Sequence, residues 1–179
     1  MKLIILDRDG VINQDSDRYI KSPDEWIPIP GSLEAIARLN RAGYRVVIAT
    51  NQSGVSRGLF DIDTLNRIHE KMHRLTHEAG GIIEAIFFCP DTDDTNPFRK
   101  PNPGMLVDIG QRLRTSLKGV PVVGDDLRDI QAAKAAGANP ILVRTGKGKR
   151  TLALVSGLQE VLVFDDLATV TDFILTQRI

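Results

Sequence analysis

Cysteine is nearly absent: Cys89 is the only one, which excludes an internal disulfide and an all-cysteine zinc site. Net charge is absent too. The 23 basic and 23 acidic residues cancel, so no global field favours nucleic acid or an anionic membrane, and any bound anion must be held by local groups. No apolar run reaches the length of a membrane span and the N-terminus carries no signal or transit pattern, so a cytoplasmic protein is expected. Internal repeats, low-complexity tracts and linkers are also missing, which predicts one domain over residues 1–179.

What is present is an ordinary globular balance, 42% hydrophobic and 26% charged. The chain is long enough to bury roughly 70% of its extended surface without disulfides. It opens on Leu3-Ile4-Ile5-Leu6, followed by Asp7-Arg8-Asp9-Gly10. This apolar run suits a strand buried on both faces of a parallel sheet, with Asp7 at its carboxyl end. Ligands of open α/β sheets gather at the carboxyl ends of strands, so two acids there read as an active site. Asp-x-Asp-Gly is also ordinary turn chemistry, and by itself the motif leaves both readings open.

Val11 to Pro30 is polar, carries three prolines and the only tryptophan, Trp26, and reads as a loop excursion with a short hairpin over the end of the first strand. A helix is predicted after Gly31 with Ser32 as N-cap and Gly43 ending it. The strand Tyr44 to Ala49 then delivers Thr50-Asn51-Gln52-Ser53-Gly54 to the edge that holds Asp7. Asp61 or Asp63 opens a longer helix in which Leu65, Ile68, Met72, Leu75 and Ala79 recur at helical spacing, until Gly80-Gly81. His69, His73 and His77 on that helix have a spacing able to hold a metal between turns, but beside Glu70, Arg74 and Glu78 they read better as a solvated face.

Ile82 to Phe88 is the third predicted strand, and Cys89 to Pro103 a proline-rich polar loop containing Arg99-Lys100-Pro101. Asn102 with Pro103 starts a helix through Leu113. A fourth strand, Val120 to Val123, ends in Gly124-Asp125-Asp126-Leu127-Arg128-Asp129, followed by a helix over Ile130 to Ala136. Pro140 to Val143 is a fifth strand, Gly146 to Arg150 a flexible basic loop, Val161 to Phe164 a sixth strand, and Leu167 to Thr176 a last helix. This alternation predicts an α/β fold with a doubly wound, mainly parallel sheet.

The strand ends then offer Asp7 with Asp9, Thr50 with Asn51, Arg99-Lys100, and Asp125 with Asp126 and Asp129. Hard oxygen ligands and a lysine around one crevice suit a magnesium ion and a phosphoryl group. The alternative, helix caps and surface ion pairs, must account for acids that follow solidly apolar strands at the edge where such sheets bind ligands.

The order Asp7-x-Asp9-Gly10, Thr50-Asn51, Lys100, Gly124-Asp125-Asp126-x-x-Asp129 resembles the four-motif signature of the haloacid dehalogenase (HAD) superfamily of phosphotransferases. Three longer stretches, Leu6 to Asn13, Thr50 to Gly58, and Arg99-Lys100-Pro101-x-Pro103-Gly104-Met105, are similar to its subfamily of D,D-heptose 1,7-bisphosphate phosphatases and histidinol-phosphate phosphatases. The resemblance implies a HAD-like Rossmannoid fold and a Mg²⁺-dependent phosphatase. The reaction would remove the 7-phosphate of D-glycero-D-manno-heptose 1,7-bisphosphate through an aspartyl phosphate, supplying nucleotide-heptose for bacterial surface polysaccharide.

In that resemblance Asp7 is the nucleophile, Asp9 the general acid and base, Thr50 a hydroxyl to a phosphoryl oxygen and Lys100 the cation. Mg²⁺ is held by the carboxylates of Asp7 and Asp125 and by the backbone carbonyl of Asp9. Substrate contacts fall on Asp15, Arg18, Tyr19, Asn51, Gln52, Ser53, Arg99 and Asp126, with the planar fork of Arg99 suited to a second phosphate. Asp129 orients Lys100 or caps the helix that follows. No insertion is long enough for a separate cap domain, so the expectation is a small open site in a monomer. Its partner is a phosphorylated sugar, with neither nucleic acid nor membrane involved.

Relatives in this subfamily often carry a zinc loop, Cys-x-His followed by Cys-x-Cys, before the Arg-Lys pair. Here Cys89-Pro90-Asp91-Thr92 keeps one ligand and Asn96-Pro97-Phe98 stands where the later cysteines would be. Zinc is therefore not expected, and the loop is expected to be held by its prolines, by Phe98 packing and by a shorter path. Histidinol-phosphate phosphatase is the nearest rival activity. A phospho-accepting signalling receiver and a silent sugar-phosphate binding module are alternatives of another class. The receiver places its acceptor on a middle strand of the chain and gains nothing from Asp9.

Overall fold

The computed structural model describes residues 2–154, 157–158 and 160–177. Its strands are β1 (Lys2–Leu6), β2 (Tyr44–Asn51), β3 (Ala85–Cys89), β4 (Pro121–Gly124), β5 (Asn139–Val143) and β6 (Leu162–Phe164). They form one six-stranded sheet in the order β3-β2-β1-β4-β5-β6, and every pairing is parallel. The helices are α1 (Ser32–Arg41), α2 (Ile62–Glu78), α3 (Gly104–Arg112), α4 (Leu127–Ala135), α5 (Gly148–Leu154) and α6 (Leu167–Thr176).

β1 shows why the sheet needs helices on both faces. Ile4 and Leu6 point into a core with Ile36 of α1, Ile68 and Met72 of α2, and Leu167 and Val170 of α6. Leu3 and Ile5 point the other way, onto Leu106 and Ile109 of α3 and Ala132 and Ala133 of α4. Strand order reverses between β1 and β4, so the connections leaving them diverge and open a crevice at their carboxyl ends. Asp7 and Asp125 follow those two strands directly.

Some local expectations are borne out or narrowed and others corrected. Ser32 is the first helical residue and not the N-cap; Gly31, at φ 85°, takes that place, and Ser32 Oγ instead donates to the Val11 carbonyl at 2.9 Å. Asp61 is the cap of α2, accepting from the Thr64 N–H at 2.7 Å. β3 starts later than predicted, with Ile82 exposed. The excursion after β1 is an antiparallel clasp, with Gln14 N donating to Ile27 O and Ile29 N to Ile12 O. Trp26 is fully buried beneath it, and Lys71 of α2 donates to the carbonyls of Pro23 and Trp26. The basic stretch read as a flexible loop enters α5 directly, because Thr145, Lys147 and Thr151 are tied to Gly10 and Asp125. No separate cap domain interrupts the described residues.

Candidate active site

The β1 end presents Asp7 and the β4 end Asp125, both beside Asp129, and Asp7 and Asp129 meet Lys100. Lys100 Nζ lies 3.2 Å from Asp7 Oδ1, 2.6 Å from Asp129 Oδ1 and 2.7 Å from the Ala49 carbonyl, and the side chain is buried. Asp129 serves both of the roles left open by the sequence. Its other oxygen accepts from the N–H groups of Asp125 and Asp126 at 3.2 and 3.1 Å, closing a capping box at the start of α4. Burial, then the charge of Asp129, pushes Asp7 up to about 7 against the pull of Lys100. Asp125 is raised well above the usual carboxylate range, by burial first and then by Asp129 and Asp7. Burial disfavours the Lys100 cation, but Asp129 and Asp7 outweigh it and raise its pKa.

Asp7, Asp125 and Asp129 each bring one oxygen to within 4.8 Å of the others. Asp129 is occupied as described. Asp7 Oδ1 accepts from the Arg8 N–H and Asp125 Oδ2 from the Lys147 N–H, leaving Asp7 Oδ2 and Asp125 Oδ1 without a donor among the described residues. A partly buried and a buried carboxylate, crowded together and each with an oxygen left unpaired, fit a hard divalent cation. The space is tight. Gly10 and Gly146 both adopt positive φ, and a Cβ on either would overlap the Asp125 carboxylate.

Asp9 sits in a cage that the sequence did not reveal. The buried guanidinium of Arg8 grips it with two nitrogens, Nε to Oδ1 at 2.8 Å and Nη2 to Oδ2 at 3.1 Å. Asn13 and Gln52 donate to its two oxygens at 2.9 and 3.1 Å. Burial pushes the Asp9 carboxyl up, but the charge and hydrogen bonds of Arg8, with those of Asn13 and Gln52, prevail and hold it below its ordinary value. His69 closes the cage behind Arg8, with Nε2 3.1 Å from Arg8 Nη1. The solvated-face reading therefore holds for His73 and His77, which are exposed, and fails for His69, which is 7% exposed. Its position four residues after Leu65 and three before Met72 places it on the apolar stripe, a signal available in the sequence.

Over these acids lies a polar cavity of about 430 Å³. Thr50, Asp15, Tyr19, Asn51, Gln52, Ser53, Arg99 and Asp126 all line it, as do Asp7, Asp9, Lys100 and Asp125. Arg18 does not; it is exposed, and its backbone carbonyl accepts from the Lys21 ammonium at 2.9 Å. Three of the lining groups are already engaged. The Asn51 amide grips the Lys100 backbone from both sides, Nδ2 to O at 2.9 Å and Oδ1 from N–H at 3.1 Å. Gln52 bridges Asp9, Arg8 and the Thr50 hydroxyl. Arg99 spends Nε on Asp94 and Nη1 on the Asp91 carbonyl.

The cavity also holds cations that the sequence reading left out or left open: Arg57, Arg128, Lys147 and Arg150. Lys147 and Arg150 stand 3.7 Å from Asp15 and Asp17 respectively, loose pairs across the mouth. The loop before Lys100 is held differently from expectation. Phe98 is 47% exposed and packs little; Asn96 donates to Asp91, Asn102 to the carbonyls of Asp94 and Asn96, and Arg99 to Asp94, so polar side chains of the loop brace its own backbone.

Among the described residues no helix is long and apolar enough to cross a membrane. A family model described as HAD-hydrolase-like matches residues 97–170. The chain is 59% identical over 179 residues to the D-glycero-beta-D-manno-heptose-1,7-bisphosphate 7-phosphatase of Bordetella bronchiseptica, covering 99% of both chains. To the protein of the same name from Pseudomonas aeruginosa it is 52% identical over 176 residues, covering 97% of each. Among solved structures it is similar to a D,D-heptose 1,7-bisphosphate phosphatase from B. bronchiseptica complexed with magnesium and phosphate. The TM-score there is 0.96, with 58% identity and 99% of both chains covered.

Proposed function

Because the chain belongs to the family of D-glycero-beta-D-manno-heptose-1,7-bisphosphate 7-phosphatases, HAD-like hydrolases by their fold and motifs, we propose that it removes the 7-phosphate of that sugar bisphosphate, with the residue roles that follow. The observation that carries the chemistry is the juxtaposition of Asp7, Lys100 and Asp125 at the strand-order reversal, beneath a cavity rich in cations.

Asp7 attacks the 7-phosphoryl group. A carboxylate approaching a phosphate meets like-charge repulsion, and Lys100, fixed by Asp129 and the Ala49 carbonyl, supplies a preorganised positive charge at the point of attack. The carboxylates of Asp7 and Asp125, with the backbone carbonyl of Asp9, are the groups to hold Mg²⁺. When bound, the ion adds Lewis-acid charge neutralisation at the phosphoryl oxygens. The Thr50 hydroxyl, oriented by Gln52, is available to a phosphoryl oxygen.

Asp9 protonates the departing O7 oxygen, then takes a proton from the water that hydrolyses the phosphorylated Asp7. In the free site its surroundings favour the carboxylate, which suits the second role. The incoming phosphoryl dianion adds negative charge beside it and raises its proton affinity, which suits the first. The cavity cations offer countercharge for the second phosphate. Arg57, exposed on the rim with no ion-pair partner among the described residues, is better placed for it than Arg99, which gives Nε to Asp94 and Nη1 to the Asp91 carbonyl. The same reading has a cytoplasmic monomer, one phosphatase domain acting on a small phosphorylated sugar.

The test is ³¹P NMR of the bisphosphate incubated with the protein and Mg²⁺. The reading requires loss of the 7-phosphate signal, retention of the 1-phosphate, and no reaction in EDTA. Release of the 1-phosphate, or preferred turnover of histidinol phosphate in a parallel incubation, would refute the assignment.

A further inference from the structure

We propose that His69 is a positioning residue for Asp9, acting through the buried guanidinium of Arg8. The proposal rests on the reading of Asp9 as general acid and base. Arg8 has no exposed surface, so every N–H it carries needs an acceptor inside the protein. Two nitrogens grip the Asp9 carboxylate, and Nη2 also donates to Gln52 Oε1 at 3.2 Å. That leaves Nη1, for one of whose two N–H groups His69 Nε2, 3.1 Å away, is the acceptor. Because the guanidinium is planar and rigid, an acceptor fixed on Nη1 also fixes the plane in which the fork meets Asp9.

His69 suits this task by its chemistry as well as its place. To accept from Arg8 its ring must be neutral with the proton on Nδ1, and burial, followed by the Arg8 charge, pushes its pKa down to about 3. A neutral acceptor orients the guanidinium without drawing its charge away from Asp9, as a second carboxylate would. The ring is itself held, on a helix packed against β1 and tilted against Phe88 with centroids 6.3 Å apart. It does not line the cavity, so its influence on substrate passes through Arg8.

The test compares kcat and KM on the heptose bisphosphate, with Mg²⁺, for the wild type, His69→Leu, His69→Gln and Asp9→Asn. Leucine fills the space but offers no acceptor; the glutamine carbonyl reaches the same place as Nε2. His69→Leu is expected to lower kcat about 10- to 100-fold, as loss of an outer hydrogen-bonding partner does in other sites. Its KM should stay within about threefold, and His69→Gln should recover kcat to within about threefold of the wild type. Wild-type kcat in His69→Leu, with Asp9→Asn inactive, overturns the role of His69 and leaves that of Asp9 standing. Equal losses in the leucine and glutamine variants, including failure of both to fold, also overturn it by marking a structural role. Wild-type turnover by Asp9→Asn would overturn the reading of Asp9 and the inference with it.

Discussion

Replacing Lys100 with methionine keeps the unbranched stem, one atom shorter, and deletes the cation that touches both Asp7 and Asp129, at 3.2 and 2.6 Å. The contacts are worth about 5–6 kcal/mol each of Coulomb energy at an effective dielectric of about 20, before the cost of desolvation is set against it. Removing one member of such a buried group leaves the others uncompensated, and the measured cost is typically about 3–5 kcal/mol. In a domain of this size about 1 kcal/mol moves the melting temperature by about 2–4 °C, so Lys100→Met should melt about 6–20 °C below the wild type in EDTA. Mg²⁺ should restore part of the difference, since a cation bound to the folded state replaces some of the lost charge. Phosphate release should fall at least about 10²- to 10³-fold, the usual cost of one preorganised electrostatic group. Scanning calorimetry with and without Mg²⁺, beside a phosphate-release assay, reads both effects. A melting temperature unchanged in EDTA, or activity within about tenfold of the wild type, would refute the reasoning.

Three further outcomes follow from the same geometry. With Asp7 raised to about 7, the folded state without metal holds a proton that the unfolded chain releases near pH 4, so stability in EDTA should fall as pH rises between about 4 and about 7. Urea midpoints at about pH 5 and about pH 8 check the sign, and a higher midpoint at the alkaline end contradicts it. Asn51→Leu removes both hydrogen bonds to the Lys100 backbone and should cost about 1–3 kcal/mol by denaturant titration, with a loss of kcat exceeding any rise in KM. Gly10→Ala combines a positive φ with collision against Asp125, so it should abolish Mg²⁺-dependent turnover and lower the melting temperature; full activity would show that the β1 loop has room to spare.

The meeting of the acids at the strand ends was legible because its signals are local. An apolar run ending in Asp7 and another ending in Gly124-Asp125 announce buried strands and their carboxyl ends, and parallel connection brings those ends together. What the side chains do across the loops was less legible, because it depends on partners distant in sequence. Asn51 lines the cavity as expected, but nothing near it in the chain announces that its amide also grips the Lys100 backbone, 49 residues away. Gly146-Lys147-Gly148 has the composition of a mobile loop, but Asp125, 22 residues earlier, orders Lys147. Arg99 lines the cavity as expected, but its ties to Asp94 through Nε and to the Asp91 carbonyl through Nη1 depend on how the loop folds back on itself. His69 is the case where the signal was present, on the apolar stripe of α2, and was outweighed by its charged neighbours.

The account turns on Asp7 carrying the phosphoryl group. Quenching the enzyme during turnover of the heptose bisphosphate and reducing with borohydride converts an aspartyl phosphate to homoserine at the residue that carried it. Peptide mass spectrometry should find homoserine at position 7 and at no other acid, and only when Mg²⁺ is present. Homoserine at Asp9 or Asp125, or none at all while phosphate is being released, would contradict the central claim.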